Sequence, residues 1–173
     1  MWFRISRLLR HRWQRDDLAQ TTLPVEAQQR LAQRIAEGEK RHRGQIRVHI
    51  EGALPTSYLW TDLPTAEVVK RRALRLFGKL QVWDTEENNG VLIYLLLTER
   101  RLEIIADRGI HRRVAPDTWQ RISAQMRVAF QSGAYESGLA HAIDTVHALL
   151  AAHFPRRADT KTPNELPDEP TLT

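Results

Sequence analysis

The feature of this sequence that most constrains its fold is an unbroken apolar run over residues 91–97. Successive side chains of a strand point to opposite faces, so a strand without a polar break must be covered on both faces. Full burial of one such side chain is worth about 1.5 to 3 kcal/mol. The run therefore predicts the central strand of a folded core.

The segments around this run predict a mixed sheet. A short polar turn, 98–101, leads to a second apolar segment, 102–107, and the two segments should pair as an antiparallel hairpin. Upstream, residues 45–51 alternate apolar and polar side chains, which is typical of a strand near a sheet edge. A helix between this strand and the central one allows a parallel crossover.

Four amphipathic helices are predicted to flank the sheet. Each has apolar residues at helical spacing and begins or ends near a proline, a glycine or a capping threonine. They cover about 24–42, 65–80, a stretch from Pro116, and a stretch from Gly138 to Pro155. The predicted class is α/β, with a small mixed sheet between helices.

The chain divides into three parts. Residues 1–22 form a basic amphipathic extension, and residues 23–155 form one domain of ordinary size. From 156 to 173, proline, threonine and acidic residues dominate without apolar periodicity, which predicts a disordered tail.

Composition excludes several kinds of site. The chain has no cysteine, so disulfides, thiolate zinc sites, iron–sulfur clusters and a cysteine nucleophile are ruled out. Its formal net charge of +5 comes from 26 basic and 21 acidic residues spread along the chain. Nucleic acid is not predicted as a partner, because no aromatic platform or fold signature accompanies the arginines.

The N-terminal extension is the candidate membrane contact. Arginines alternate with apolar residues at helical spacing, and the apolar set is Trp2, Ile5, Leu8, Leu9 and Trp13. Such a helix can lie on a membrane surface or against a membrane protein through residues 2–15. A short helix packed on the domain, or a frayed basic end, explains the same pattern. With no membrane-spanning run and no secretory signal, the chain is expected to be cytoplasmic or peripheral at the inner membrane.

The hairpin predicts a cation site at one end of the sheet. If the two strands run back along each other, the loop before Val91 must lie beside the segment after Ala106. Oxygen ligands of the kind that Ca²⁺ or Mg²⁺ takes are frequent there: Asp84, Glu86, Glu87, Asn88 and Asp107. The alternative is a solvated acidic loop with Asp107 paired to a neighbouring arginine. An enzyme at this site would also need a base that activates water, and Asp107 with His111 is the candidate catalytic pair.

A second candidate site lies at the other end. In a parallel crossover, Glu51 and Glu99 share the carboxyl end of their strands, where open α/β sheets bind ligands. Two acids offer fewer ligands than the first cluster, so this site ranks second. The histidines lack ligand spacing and are predicted to be structural, and no nucleophile elbow or phosphate loop is present.

Two stretches carry a family resemblance. Residues 87–104, ENNGVLIYLLLTERRLEI, resemble the central signature of the TPM domain family, whose names refer to photosystem II repair and to phosphatase. Residues 126–139, MRVAFQSGAYESGL, are similar to the closing segment of that family. The resemblance spans about residues 25–153. In the turn after the central strand, where the family carries aspartate, this chain has Glu99.

The resemblance implies a compact α/β/α sandwich. Some family members are described as acid phosphatases or as binding Ca²⁺ or Mg²⁺. Together with the candidate sites, it predicts a divalent-cation-binding or partner-binding module in a membrane-associated process. A metal-dependent acid phosphatase that hydrolyses phosphomonoesters is the alternative.

Overall fold

A computed structural model describes residues 7–11, 17–156 and 164–173 of the chain, with a mixed four-stranded sheet at the centre. Residues 7–11 are helical. The elements that follow are α1 (Leu18–Thr22), α2 (Val25–Glu39), β1 (Gln45–Glu51), α3 (Thr56–Leu59), α4 (Thr65–Lys79), β2 (Gly90–Leu96), β3 (Arg101–Ala106), α5 (Arg108–His111), α6 (Pro116–Gln131), α7 (Tyr135–His153) and β4 (Thr171–Leu172).

The sheet has the strand order β3-β2-β1-β4. Strand β2 pairs antiparallel with β3, with Ile93 opposite Ile104, and parallel with β1, with Leu95 opposite Ile50. The predicted hairpin and the predicted parallel crossover are therefore both confirmed.

Helices and loops cover both faces of β2, as its unbroken apolar sequence requires. Its odd-numbered residues pack with α2, α6 and α7, whereas Leu92, Tyr94 and Leu96 pack with α4 and the loop around α3. All seven residues of β2 are buried. Within the described residues, no helix is both long and apolar enough to cross a lipid bilayer.

Helix α7 begins at Tyr135, three residues before the predicted start at Gly138. Gly138 serves close packing, because a Cβ atom there would lie 2.6 Å from the Phe130 ring of α6. The glycine lets these two helices approach each other inside the core.

The C-terminal segment differs from the prediction of a disordered tail. Residues 164–173 lie along β1, and Thr171–Leu172 form the edge strand β4. Strand β1 therefore has a neighbour on each side, and its polar side chains are buried with its apolar ones. The remaining residues of the expected tail, 157–163, lie outside the described residues.

Two of the histidines form a buried pair, in agreement with a structural role. His42 donates from Nδ1 to the Gly44 carbonyl (3.1 Å) and accepts at Nε2 from Nδ1 of His147 (2.7 Å). Burial lowers the pKa of each imidazole to about 4, so both are neutral near pH 7. Gly38 is required beside them, because a Cβ atom there would overlap the His147 ring.

Candidate functional site

The carboxyl end of the parallel strands brings Glu51 and Glu99 to the same end of the sheet, as predicted. Glu51 closes β1, and Glu99 lies in the turn after β2. Two backbone bonds join these segments, from the Leu97 N–H to the Glu51 carbonyl (2.9 Å) and from the Thr98 N–H to the Gly52 carbonyl (3.2 Å). The two segments that carry the acids of the second-ranked site are therefore neighbours in the fold.

Glu51 is buried within an ion-pair network. Arg72 of α4 donates to both of its carboxylate oxygens, from Nη2 (2.6 Å) and Nε (3.0 Å), and the Tyr94 hydroxyl donates at 2.6 Å. The Glu51 side chain is 3% exposed and that of Arg72 is 13% exposed. Burial raises the pKa of Tyr94 well above its ordinary value, so the phenol remains a donor. Both carboxylate oxygens of Glu51 therefore have hydrogen-bond donors inside the protein.

Glu99 pairs with the N-terminal segment. Arg10 donates from Nη1 to its Oε2 (2.9 Å), and His11 Nε2 lies 3.1 Å from its Oε1. The Leu54 N–H donates to His11 Nδ1 (3.0 Å), so that nitrogen is an acceptor and the proton must be on Nε2. His11 therefore bridges the loop after β1 to the turn after β2. Its side chain is 1% exposed and that of Glu99 is 6% exposed.

Arg7 fastens the same segment to the loop around α3. Its side chain is fully buried, and its guanidinium donates to three backbone carbonyls, those of Leu63 (2.8 Å), Thr61 (3.2 Å) and Tyr58 (3.3 Å). For residues 7–11, the structure shows the alternative of a short helix packed on the domain. The remainder of the expected membrane-contact segment, residues 2–6 and 12–15, lies outside the described residues.

The opposite end brings together the loop before β2 and the segment after β3, as the hairpin predicted. The Gly109 N–H donates to the Asn88 carbonyl (2.8 Å), and Arg108 Nε donates to Asn88 Oδ1 (2.8 Å). Glu87 forms an ion pair with Arg43. Asp107 Oδ1 accepts from the Arg108 N–H (2.7 Å) and caps α5.

The other predicted site residues of this end are dispersed. Asp84, Glu86 and His111 are exposed, and the backbone of Glu86 donates to the Glu165 carboxylate (3.0 Å). Among the described residues, no group of three or more histidine, aspartate or glutamate side chains is arranged to hold a metal ion. Within the part of the chain that the structure describes, two buried oxygen atoms of this end have no hydrogen-bond partner, Asp107 Oδ2 and Asn89 Oδ1.

Sequence reasoning missed the basic and phenolic partners at the carboxyl end. The apolar run over residues 91–97 includes Tyr94, whose hydroxyl donates to Glu51, and no spacing in the sequence pairs Arg72 with that acid. The sequence contains one signal for these partners, which is the acid near the end of each parallel strand. A carboxylate that is removed from water needs a cationic partner. The helical spacing of Arg7, Arg10 and His11 places that partner on one segment.

Comparisons with known proteins agree with this fold. The family model described as TPM domain matches residues 17–149. The solution structure of the BA42 protein from the psychrophilic bacterium Bizionia argentinensis has 28% identity, covers 87% of this chain and 95% of its own, and superposes with a TM-score of 0.72. The N-terminal domain of a P. gingivalis protein is similar in fold, with 24% identity, coverage of 78% and 83%, and a TM-score of 0.56. No curated protein matches the sequence.

Proposed function

The chain belongs to the TPM domain family, and from that premise we propose that it is a binding module that holds a basic peptide segment at the carboxyl end of its parallel strands. The observation that carries this proposal is the pairing of one buried carboxylate, Glu99, with both Arg10 and His11. The chain's own residues 7–11 are the occupant in the structure.

The chemistry of the site favours a basic occupant. Glu99 lies in the turn where the resemblance implies an aspartate, and in this chain the side chains of Arg10 and His11 contact it. The carbonyls that receive Arg7 are aligned as acceptors, so they suit a guanidinium and not an anion. Arg72 is paired with Glu51. The Glu99 carboxylate is therefore the acid that contacts a segment bound at this end of the sheet.

A partner with a similar basic segment would compete with residues 7–11. To test this, we would weaken the tethered segment with Arg7→Ala and His11→Ala and add a labelled peptide with the sequence of residues 1–15. We expect saturable binding that weakens about 10- to 100-fold when Glu99→Gln is added, because a hydrogen bond to a charged group contributes roughly 1.5–3 kcal/mol. Glu26→Gln, at an exposed position of α2, is the matched control. Equal affinity with and without the Glu99 carboxylate would contradict the proposal.

A divalent-cation site at the opposite end is the second candidate. It is favoured by the two buried oxygen atoms without partners, Asp107 Oδ2 and Asn89 Oδ1, because hard cations take carboxylate and amide oxygens. In this candidate, Asp107 and Asn89 would hold Ca²⁺ or Mg²⁺, and the nearby Glu87 and Asn88 would have to exchange their arginine partners.

Thermal unfolding with chelator, Mg²⁺ or Ca²⁺ tests the cation site. An ion at about 100 times its dissociation constant stabilises by roughly 2.7 kcal/mol, so Tm should rise by about 5–10 °C. The rise should vanish in Asp107→Asn and persist in Asp84→Asn, whose side chain is exposed. No rise in Tm with either ion would exclude the cation site. Phosphatase activity would be supported only by cation-dependent turnover of an aryl phosphate that is lost in Asp107→Asn.

We propose that the outer face of α4 contributes to membrane contact of this module. Leu74 of α4 and Trp83, which follows this helix, are half-exposed. Helix α4 also carries exposed basic side chains, which are Lys70, Arg71, Arg75 and Lys79. Such a surface suits anionic lipid. Sedimentation with anionic vesicles should fall several-fold in Leu74→Ala/Trp83→Ala and not in Val128→Ala, an exposed apolar control on α6. Binding lost only on deletion of residues 1–6 would return the contact to the N-terminal extension.

A further inference from the structure

The polar side chains of β1 form a cradle for an extended peptide. This cradle consists of Gln45, Arg47 and His49, which alternate along one face of the strand and are each at most 7% exposed. Three polar groups on the buried face of one strand would be costly without hydrogen-bond partners. Residues 164–173 supply those partners.

The cradle mostly contacts the backbone of this segment. Gln45 Oε1 accepts from the N–H groups of Glu165 (3.0 Å) and Leu166 (3.1 Å). Arg47 Nη1 donates to the carbonyls of Pro167 (2.6 Å) and Glu169 (2.9 Å). Gln45 and Arg47 therefore bind backbone N–H and carbonyl groups, which every peptide carries.

His49 and the strand edge complete the contact. The His49 ring nitrogens lie 2.8 Å and 3.2 Å from the hydroxyls of Thr171 and Thr173. The segment then adds to β1 as a parallel strand: the Thr173 N–H donates to the Ile50 carbonyl (3.0 Å), and the Gly52 N–H donates to the Thr173 carbonyl (2.7 Å).

Two features of the segment give the contact its selectivity. Leu166 is buried in the cluster between the sheet and α4, where it anchors the peptide. Three acids, Glu165, Asp168 and Glu169, accompany it, in a chain whose net charge is +5. Burial lowers the pKa of Arg47, and the negative charges of Glu169 and Asp168 lie near enough to oppose that shift.

We propose that this cradle is a peptide-binding site that accepts, in place of the chain's own C-terminal segment, an extended acidic segment of a partner protein by parallel strand addition to β1. Main-chain bonds at an exposed strand edge are a general means of peptide recognition. The tethered segment competes at a high effective concentration, so a partner binds well only where the tether is loosened or its own segment fits better.

The test uses the full chain and a labelled peptide with the sequence of residues 164–173. Leu166→Asp removes the anchor of the tethered segment, and we expect it to bind the peptide at least tenfold more tightly than the unaltered chain does. Adding Arg47→Met should abolish the gain, whereas Arg127→Met, at an exposed arginine of α6, should leave it. If the Leu166→Asp variant binds this peptide no more tightly than it binds a scrambled peptide, the proposal is overturned.

A second variant covers the case in which Leu166→Asp does not fold. Thr171→Ala/Thr173→Ala removes the two hydroxyls that meet His49 and leaves the core unchanged, and the peptide should raise its Tm while the scrambled peptide should not. Failure to raise Tm would also overturn the proposal. Concentration-dependent dimers that disappear with Arg47→Met would show that a second copy of this chain occupies the site. That result would overturn the proposal of a separate partner protein.

Discussion

Leu95→Asp is expected to abolish cooperative unfolding. Leu95 is fully buried in the central strand, and its partners across the sheet are Ile50 and Leu102. An aspartate there would bury a carboxylate without a cationic partner and lose the apolar contacts of leucine, and such changes cost more than about 4–5 kcal/mol. That is comparable to the whole stability of a domain, about 5–15 kcal/mol.

The matched control is Leu74→Asp. Leu74 is half-exposed on the outer face of α4, so the same substitution should change the free energy of unfolding by no more than about 0.5 kcal/mol. Thermal denaturation followed by circular dichroism compares the two variants. A cooperative transition of Leu95→Asp near that of the unaltered chain would show that β2 is not central to the fold.

Arg72→Met should be the most destabilising loss of a single polar contact. The substitution leaves the Glu51 carboxylate buried with the Tyr94 hydroxyl as its remaining partner. Breaking a buried ion pair from one side costs about 3–5 kcal/mol, which lowers Tm by roughly 6–20 °C in a chain of this size. Denaturant unfolding measures the loss directly.

A double-mutant cycle separates the pair from general packing. Adding Glu51→Gln to Arg72→Met should recover most of the lost stability, because the neutral amide still accepts from Tyr94 and needs no cation. Arg71→Met is the adjacent control, since Arg71 pairs with Glu67 on the exposed side of α4 and such pairs contribute about 0–1 kcal/mol. Additive losses in the cycle would mean that Glu51 and Arg72 do not depend on each other.

The sheet could be predicted because its information is local. The run over β2 requires two covered faces, the polar turn after it requires a hairpin, and the helix before it allows one crossover. The same reasoning placed Glu51 with Glu99 and Asn88 beside the residues that follow Asp107, and the structure has both juxtapositions.

The polar contacts could not be predicted because they depend on distant parts of the chain. Residues 164–173 have no periodicity and low hydrophobicity, which ordinarily predicts disorder. They are ordered because Gln45, Arg47 and His49, about 120 residues earlier, need hydrogen-bond partners. Alternating polar side chains on a strand with both faces covered, as on β1, indicate that a further segment supplies their hydrogen-bond partners.

The N-terminal segment illustrates the same limit. Its basic amphipathic pattern fits a membrane surface and a protein surface equally well, since both can take apolar and cationic side chains. The contacts of residues 7–11 depend on acceptors elsewhere in the chain: the Glu99 carboxylate and the carbonyls around α3 receive Arg7, Arg10 and His11. No periodicity within residues 7–11 contains that information.

The most direct test of the basic-segment site is the protonation of His11, observed by long-range ¹⁵N–¹H correlation NMR near pH 7. We expect the tautomer with the proton on Nε2 and a slowly exchanging Leu54 amide, because Nδ1 accepts from that N–H. In Glu99→Gln the Nε2 proton should shift, because its acceptor changes. An imidazole that exchanges between tautomers, together with a Leu54 amide that is not protected, would contradict the binding of the N-terminal segment at this end of the sheet.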